Sequence, residues 1–422
     1  MSKLTAPDWK TFTVAELIEH KFTGPSPTCE ERPIASSEEW GLLKTTAITW
    51  SGWNENAHKV PPRRYWGNQS IEVKMGDVLI TKAGPRHRVG VVVHVASTRP
   101  RLMVSGKMVG LRPNKSKVVP SILAGLLSTQ SVQDYLNSRT TGMAESQTNF
   151  ADDVLLRTEL SVPPIPEQRR IAKILDALDD WIRATEQIIA KLRKVRGALV
   201  STLLHVGGDG NWGATWPLLP LGKLVSGIDA GKSPDCPDEP APPDQWGVLK
   251  VSAVGSVHFR PVENKVIPPG TPIDPRSMVR SGDVLVTRAN TPELVGMACL
   301  VDQSFDSRLV LCDKTWRINV SDRLDRPFLV EVLRAFPSRS YIQSVATGTS
   351  GSMKNFSQRS LLDMLVPVPD LAEQIQISDR IAALTARIDA EMAAVAKLKE
   401  LKVGLIADLL TGRVRVPLET AP

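Results

Sequence analysis

Histidine and cysteine are scarce in this chain, with six and four among 422 residues. Cys29, Cys236, Cys299 and Cys312 form no C-x-x-C pair and the histidines are scattered. That argues against a zinc site and for reduced, buried thiols. No apolar run approaches the ~20 residues that a membrane span needs. No charged-then-apolar leader is visible, and "MSKLTAPDWK" is expected to be the mature start of a cytoplasmic protein. Catalytic signatures are missing as well. A nucleotide-phosphate loop would read GxxxxGK[ST], but "GIDAGKSP" at Gly227 is one residue short, and Pro234 stands where a helix should begin. No Asn/Asp-Pro-Pro-aromatic motif of an amino-methyltransferase occurs. "PPDQ" at Pro242 followed by "ENK" at Glu263 imitates a nuclease site only at the level of chance. Of the paired carboxylates, "ADD" at Ala151 and "LDD" at Leu178, the second lies on a helix flank and reads as solvated charge. No catalytic residue and no metal site is expected.

The chain does hold enough apolar residues, 42%, to build two or more domains. It is also basic, with a net charge of +7. The charge is unevenly spread. Residues 41–120 carry fourteen Lys and Arg against Glu55, Glu72 and Asp77 alone, which points to a polyanionic partner.

The chain is one unit written twice. "WGLLK" at Trp40 returns as "WGVLK" at Trp246, "GDVLITKAG" at Gly76 as "GDVLVTRAN" at Gly282, "TNF" at Thr148 as "KNF" at Lys354, and the "EQ" of Glu167 as that of Glu373. Each of these shifts is 206 residues; upstream, from Trp9 to Trp216 and Gly24 to Gly231, the shift is 207. Each half predicts a β-rich region broken by Gly, Pro and Asp, with helices such as Pro120–Asn137 and Pro327–Val345, followed by one long helix. The glycine-rich "VGGDGNWGATW" reads as a flexible linker between the halves.

The first long helix starts at the prolines of "PPIPEQ", with Glu167 complementing its dipole. The second starts at Asp370, with Glu373 completing a capping box. Gly207 and Gly412 are the expected stops. Both helices carry heptads: Ile171, Leu175, Leu178, Ile182, Ile189, Leu192, Leu199 and Leu203, then Ile377, Ile381, Leu384, Ile388, Val395, Leu398, Leu405 and Leu409. Thr185 and Arg196 interrupt the first seam, Glu391 and Lys402 the second. A parallel pair would face Arg196 with Lys402. An antiparallel coiled coil instead sets Arg196 against Glu391 and Thr185 against Lys402, so those four residues are expected to fix register. On that register, Arg196→Glu is rescued by Glu391→Arg. The alternative is that Arg196 and Lys402 snorkel past the seam.

Two globular regions on antiparallel helices suggest a ruler along DNA, each region reading one half-site about a helical turn or more apart. Base edges and phosphates call for Arg, Lys, Asn and Gln on ordered loops. The first half offers Lys44, Arg63, Arg64, Lys82, Arg86, Arg88, Gln147 and Asn149; the second offers Lys250, Arg288, Asn290, Lys354 and Asn355.

Tandem variable regions, each with a "GDVL" strand and each leading into a long helix of the "PxPxEQ…I…L" type, resemble the specificity (S) subunit of type I restriction–modification enzymes over the full length. The resemblance implies an α+β fold with two tandem halves, each a target recognition domain and a long helix. Their boundaries would fall at 1–161, 162–206, a linker at 207–215, 216–365, 366–412 and a tail at 413–422. It implies double-stranded DNA, two methyltransferase subunits docked on the helices and two restriction/translocase subunits as partners. S-adenosylmethionine, ATP and Mg2+ would belong to those partners, none to this chain. Lys82 stands where the family usually has Arg, Asn290 where a glycine often follows, and "DLAEQ" lacks the tight proline spacing, which weakens the assignment of contacts at Lys82 and Asn290. Competing readings are a coiled-coil adaptor without sequence-specific DNA contact, and a nuclease or a fragment of a fused restriction–methylation enzyme.

Overall fold

The GDVL repeat shows why each half folds as it does. Gly76 and Gly282 take φ of +94° and +86°, a region open to glycine at little cost. The next residue closes the turn: Asp77 accepts from the Lys74 N–H at 2.7 Å and Asp283 from the Arg280 N–H at 2.8 Å. The β-branched runs that follow, Val78–Thr81 and Val284–Thr287, are buried along their whole length. Each is an inner strand of a four-stranded antiparallel sheet. In the first half the order is Ile18–Phe22, Met108–Pro113, Val78–Thr81, Val92–His94; in the second it is Val225–Ala230, Thr315–Val320, Val284–Thr287, Ala298–Leu300. The would-be phosphate loop at Gly227 thus lies in an edge strand, not before a helix. A three-stranded sheet built on Gly41–Leu43 or Trp246–Leu249 covers a second, smaller core in each half. Gly24 and Gly231 sit in close approaches. A Cβ there would lie 1.7 Å from the Val104 carbonyl oxygen and 1.6 Å from that of Leu311.

The computed structural model describes residues 8–50, 52–144, 147–301, 308–348 and 353–416. The long helices run over Ile165–Leu203 and Leu371–Leu409, 39 residues each. The chain divides into two compact units, residues 1–186 with 393–422, and residues 187–392. The division cuts through both long helices, so each unit owns the entry half of one and the exit half of the other. In the first unit Ile171, Leu175, Leu409 and Leu410 pack with the sheet and with helices Pro120–Leu127 and Gln130–Asn137. In the second, Leu204, Ile377 and Ile381 join the corresponding core. The helix halves pair antiparallel in both.

The repeated "EQ" fastens helix to sheet. Gln168, fully buried, accepts from the Val119 N–H at 2.7 Å and donates to the carbonyls of Lys117 at 3.0 Å and Pro163 at 2.8 Å. Gln374 makes the same set with the Asp325 N–H, Arg323 and Pro369 at 2.8, 3.2 and 2.9 Å. Beside them Glu167 and Glu373 accept from the indoles of Trp9 and Trp216. Gln168→Ala strands a buried N–H and two carbonyls, and should lower stability by about 2–3 kcal/mol. Urea unfolding checks this; a change under about 0.5 kcal/mol would contradict the clamp.

Several expectations need correction. Pro120–Asn137 is two helices, broken where Thr129 turns extended, and Pro327–Val345 is likewise broken at Ala335. The glycine-rich segment is tied down rather than flexible: Val206 bridges Trp212, whose indole donates to the Leu365 carbonyl at 3.2 Å. Gly412 has φ +73°, but after the first long helix it is His205, at φ +51°, that takes the left-handed position, and not Gly207. Asp370 caps the Glu373 N–H at 2.8 Å, yet Glu373 turns to Trp216 instead of closing the box. Cys299 and Cys312 are buried, whereas Cys29 and Cys236 are only half-buried.

The seam residues Ile171, Leu175, Leu178, Ile182, Ile189, Ile377, Ile381, Ile388, Val395 and Leu409 are buried, but the polar register differs. Arg196 donates to Thr385 Oγ1 at 2.8 Å and to Glu331 at 2.7 Å, while Glu391 pairs with Arg387 one turn away on its own helix. Lys402 meets Asp179, and the Thr185 hydroxyl turns back to the Trp181 carbonyl. The pairs Arg196–Thr385 and Lys402–Asp179 are one contact repeated at the 206-residue shift. The register therefore sits six positions from the expected one. Arg196 also meets a buried carboxylate from the globular region, Glu331, which the helix pattern does not include. Asp179, read as solvated charge, is an ion-pair partner.

Candidate nucleic-acid interface

Each GDVL strand runs into a loop held in the same way twice. The Thr81 hydroxyl donates to the Arg88 carbonyl and accepts from the Val91 N–H at 3.1 Å. The Thr287 hydroxyl does the same with Leu294, at 2.9 Å, and the Met297 N–H, at 3.0 Å. Gly90 and Gly296, at φ +86° and +73°, close the two loops. A short strand then pairs alongside each loop's start. Asn149 lies opposite Ala83 and Thr148 opposite Gly84; Asn355 lies opposite Ala289 and Lys354 opposite Asn290. This brings Lys82, Arg86, Gln147 and Asn149 onto one edge of the first unit, and Arg288, Asn290, Lys354 and Asn355 onto the matching edge of the second.

The expected contacts divide by environment. Arg64 and Arg86 are exposed and make no ion pair with a described residue; Arg64 lies over the Tyr65 ring at 5.1 Å. Arg63 lies over Trp66 at 5.6 Å and close enough to Glu39 to be felt by it. Gln147, Asn149, Arg288 and Asn355 are exposed, with Arg288 across Trp316. Asn290 caps the Thr291 N–H, and Lys354 donates to the Gly348 carbonyl.

The remaining cations are occupied. Lys44 pairs with Glu31 and its counterpart Lys250 with Asp238, both at 2.8 Å. Lys82 pairs with Asp152 at 3.0 Å. Burial alone would raise that carboxyl, but the bonds from Lys21 and Lys82 outweigh it and hold it below its usual range. Arg88 donates to the Thr45 and Ile48 carbonyls and acts as a brace. The basic excess of residues 41–120 is thus partly met by acids from outside that window: Glu31, Glu38 with Arg101, and Asp152. Counting charges along the chain could not show this.

A second exposed feature escaped the heptad reading. Ile174 and Trp181 on the first unit's part of the first long helix, and Ile188 and Val195 on the second unit's part, are 39–65% exposed. They recur every seven residues, outside the buried seam. Among the described residues no helix is long and apolar enough to cross a membrane, and no cluster of three or more His, Cys, Asp or Glu could hold a metal ion.

Residues 68–194 match the sequence model of the type I restriction modification DNA specificity domain. The chain is 30% identical over 198 residues to the type I restriction enzyme EcoEI specificity subunit of Escherichia coli, covering 47% of this chain and 32% of that one. It is 24% identical over 343 residues to the MjaVIII specificity subunit of Methanocaldococcus jannaschii, covering 74% and 75%. Its fold matches a crystal structure of the type I restriction-modification S subunit from M. genitalium, with TM-score 0.57 and 12% identity over 97% of each chain.

Proposed function

We infer that this chain, a specificity subunit of the type I restriction–modification family, reads a two-part DNA target, one half-site per unit. The observation that carries this is the duplicated loop edge: the same Thr-and-Gly framework presents exposed Arg86, Gln147 and Asn149 in one unit and Arg288 and Asn355 in the other, and Arg64 is exposed elsewhere on the first unit. The chain is non-catalytic and works in the cytoplasm as the reader for two methyltransferase and two restriction/translocase subunits, which bring S-adenosylmethionine, ATP and Mg2+. The exposed pair Ile174 and Trp181 on the first unit is a docking face for a methyltransferase, and the pair Ile188 and Val195 on the second is another, since a seven-residue spacing suits a partner helix.

Salt titration of DNA binding by the assembled methyltransferase complex tests this reading. Affinity should fall linearly on a logarithmic scale with salt, as phosphate contacts release counterions. Arg64→Ala should reduce that slope by about 1, the contribution of one phosphate contact. Binding that ignores salt, or a slope unchanged in Arg64→Ala, would favour the adaptor reading.

A further inference from the structure

The two reading loops share a backbone and differ in hydrogen-bonding sense. In the first unit the loop carries Arg86 and His87, both exposed, on a short turn braced by Arg88. At the 206-residue shift these positions are Pro292, Glu293 and Leu294. The second loop is as firmly held as the first. Arg339 donates to the Glu293 carbonyl at 2.7 Å and to the Val295 carbonyl at 2.5 Å, and Gly296 N–H meets the Thr287 carbonyl at 2.8 Å. Gln133 plays the bracing part in the first unit, donating to the Gly90 carbonyl at 2.9 Å. The Glu293 side chain is exposed and has no hydrogen bond or ion pair with a described residue, so all its acceptor capacity points outward.

A bare carboxylate on a face meant for DNA is costly unless it meets a donor, because every phosphate repels it. The donors DNA offers in the major groove are the exocyclic amino groups of cytosine and adenine, and carboxylates accept from cytosine N4. Arginine instead donates to guanine O6 and N7, which only accept. We propose that Glu293 is a specificity-determining residue that accepts from an exocyclic amino group in the second unit's half-site, while Arg86, at the matching loop, selects guanine in the first. This rests on the DNA-reading role inferred above. Pro292 just before Glu293, and the two carbonyls held by Arg339, keep the carboxylate aimed by the backbone rather than by side-chain partners.

The test is to map methylated bases in cells carrying the full-length chain with its methyltransferase, comparing wild type, Glu293→Ala, Glu293→Gln and Arg86→Ala. The wild type should show a two-part motif with a required C·G pair in one half, cytosine N4 being the donor from which carboxylates accept. Glu293→Ala should relax that position alone by about 5- to 150-fold in preference, a range set by 1–3 kcal/mol per good base contact. It should also raise binding to unrelated DNA, since a repelling charge is gone. Glu293→Gln, which keeps an acceptor oxygen, should retain part of the preference. Arg86→Ala should relax a guanine in the other half only. The proposal is overturned if Glu293→Ala leaves every position unchanged, or lowers methylation evenly without changing the motif. A wild type that yields no two-part motif would instead overturn the DNA-reading role itself.

Discussion

Arg196→Glu should destabilise the protein by about 3–5 kcal/mol, the usual cost of breaking a buried ion pair from one side. Adding Glu391→Arg should not restore the loss. Arg196 and Glu331 are only 20% and 10% exposed at their side chains, and the same Glu331 oxygen also accepts from Arg334 at 3.0 Å. Arg334 is committed further to the Ala298 and Val257 carbonyls. A glutamate at 196 would face Glu331 across the gap that Arg196 now closes, and would also lose Thr385. Glu391 lies with Arg387 on its own helix and is not within this group. Chemical denaturation of the single and double variants decides the matter. Rescue by Glu391→Arg would mean that the helices pair in the register first expected from the heptads.

Trp181→Asp should abolish co-purification of the methyltransferase, and with it methylation, while leaving the chain's own melting temperature within a degree or two. The indole is 65% exposed, so its removal empties no core. A tryptophan at the centre of an interface is often worth 2 kcal/mol or more, and a charge placed there adds desolvation. Affinity should therefore fall by at least about 30-fold. Undiminished complex formation would move docking to another face.

What could be read from the residues alone follows a physical line. Features carried by local pattern were visible: the repeat, the starts of the two long helices, and the apolar seam along them. Features that depend on distant residues were not. Glu331 lies 135 positions from Arg196, and no helical pattern points to it. Glu31 and Asp152 neutralise Lys44 and Lys82 from outside the basic window. Gln168 looked like part of a helix start, yet its use is to hold the backbone of residues 117–119. Its exact repetition at Gln374 was the signal available, since a glutamine needed only for solubility has no reason to recur. The outer stripe was hidden for a different reason. Ile174, Trp181, Ile188 and Val195 obey the same seven-residue spacing as the seam, and spacing alone does not say which of two stripes is covered.

The most direct measurement is a genome-wide map of methylated bases in the host with this gene intact and deleted. If each unit reads half a target, deletion will remove methylation from one motif made of two defined parts and a fixed non-specific gap. Exchanging residues 216–365 for those of a relative will then change one part and leave the other. Methylation that survives deletion, in cells shown to hold the chain and its methyltransferase, would contradict the account.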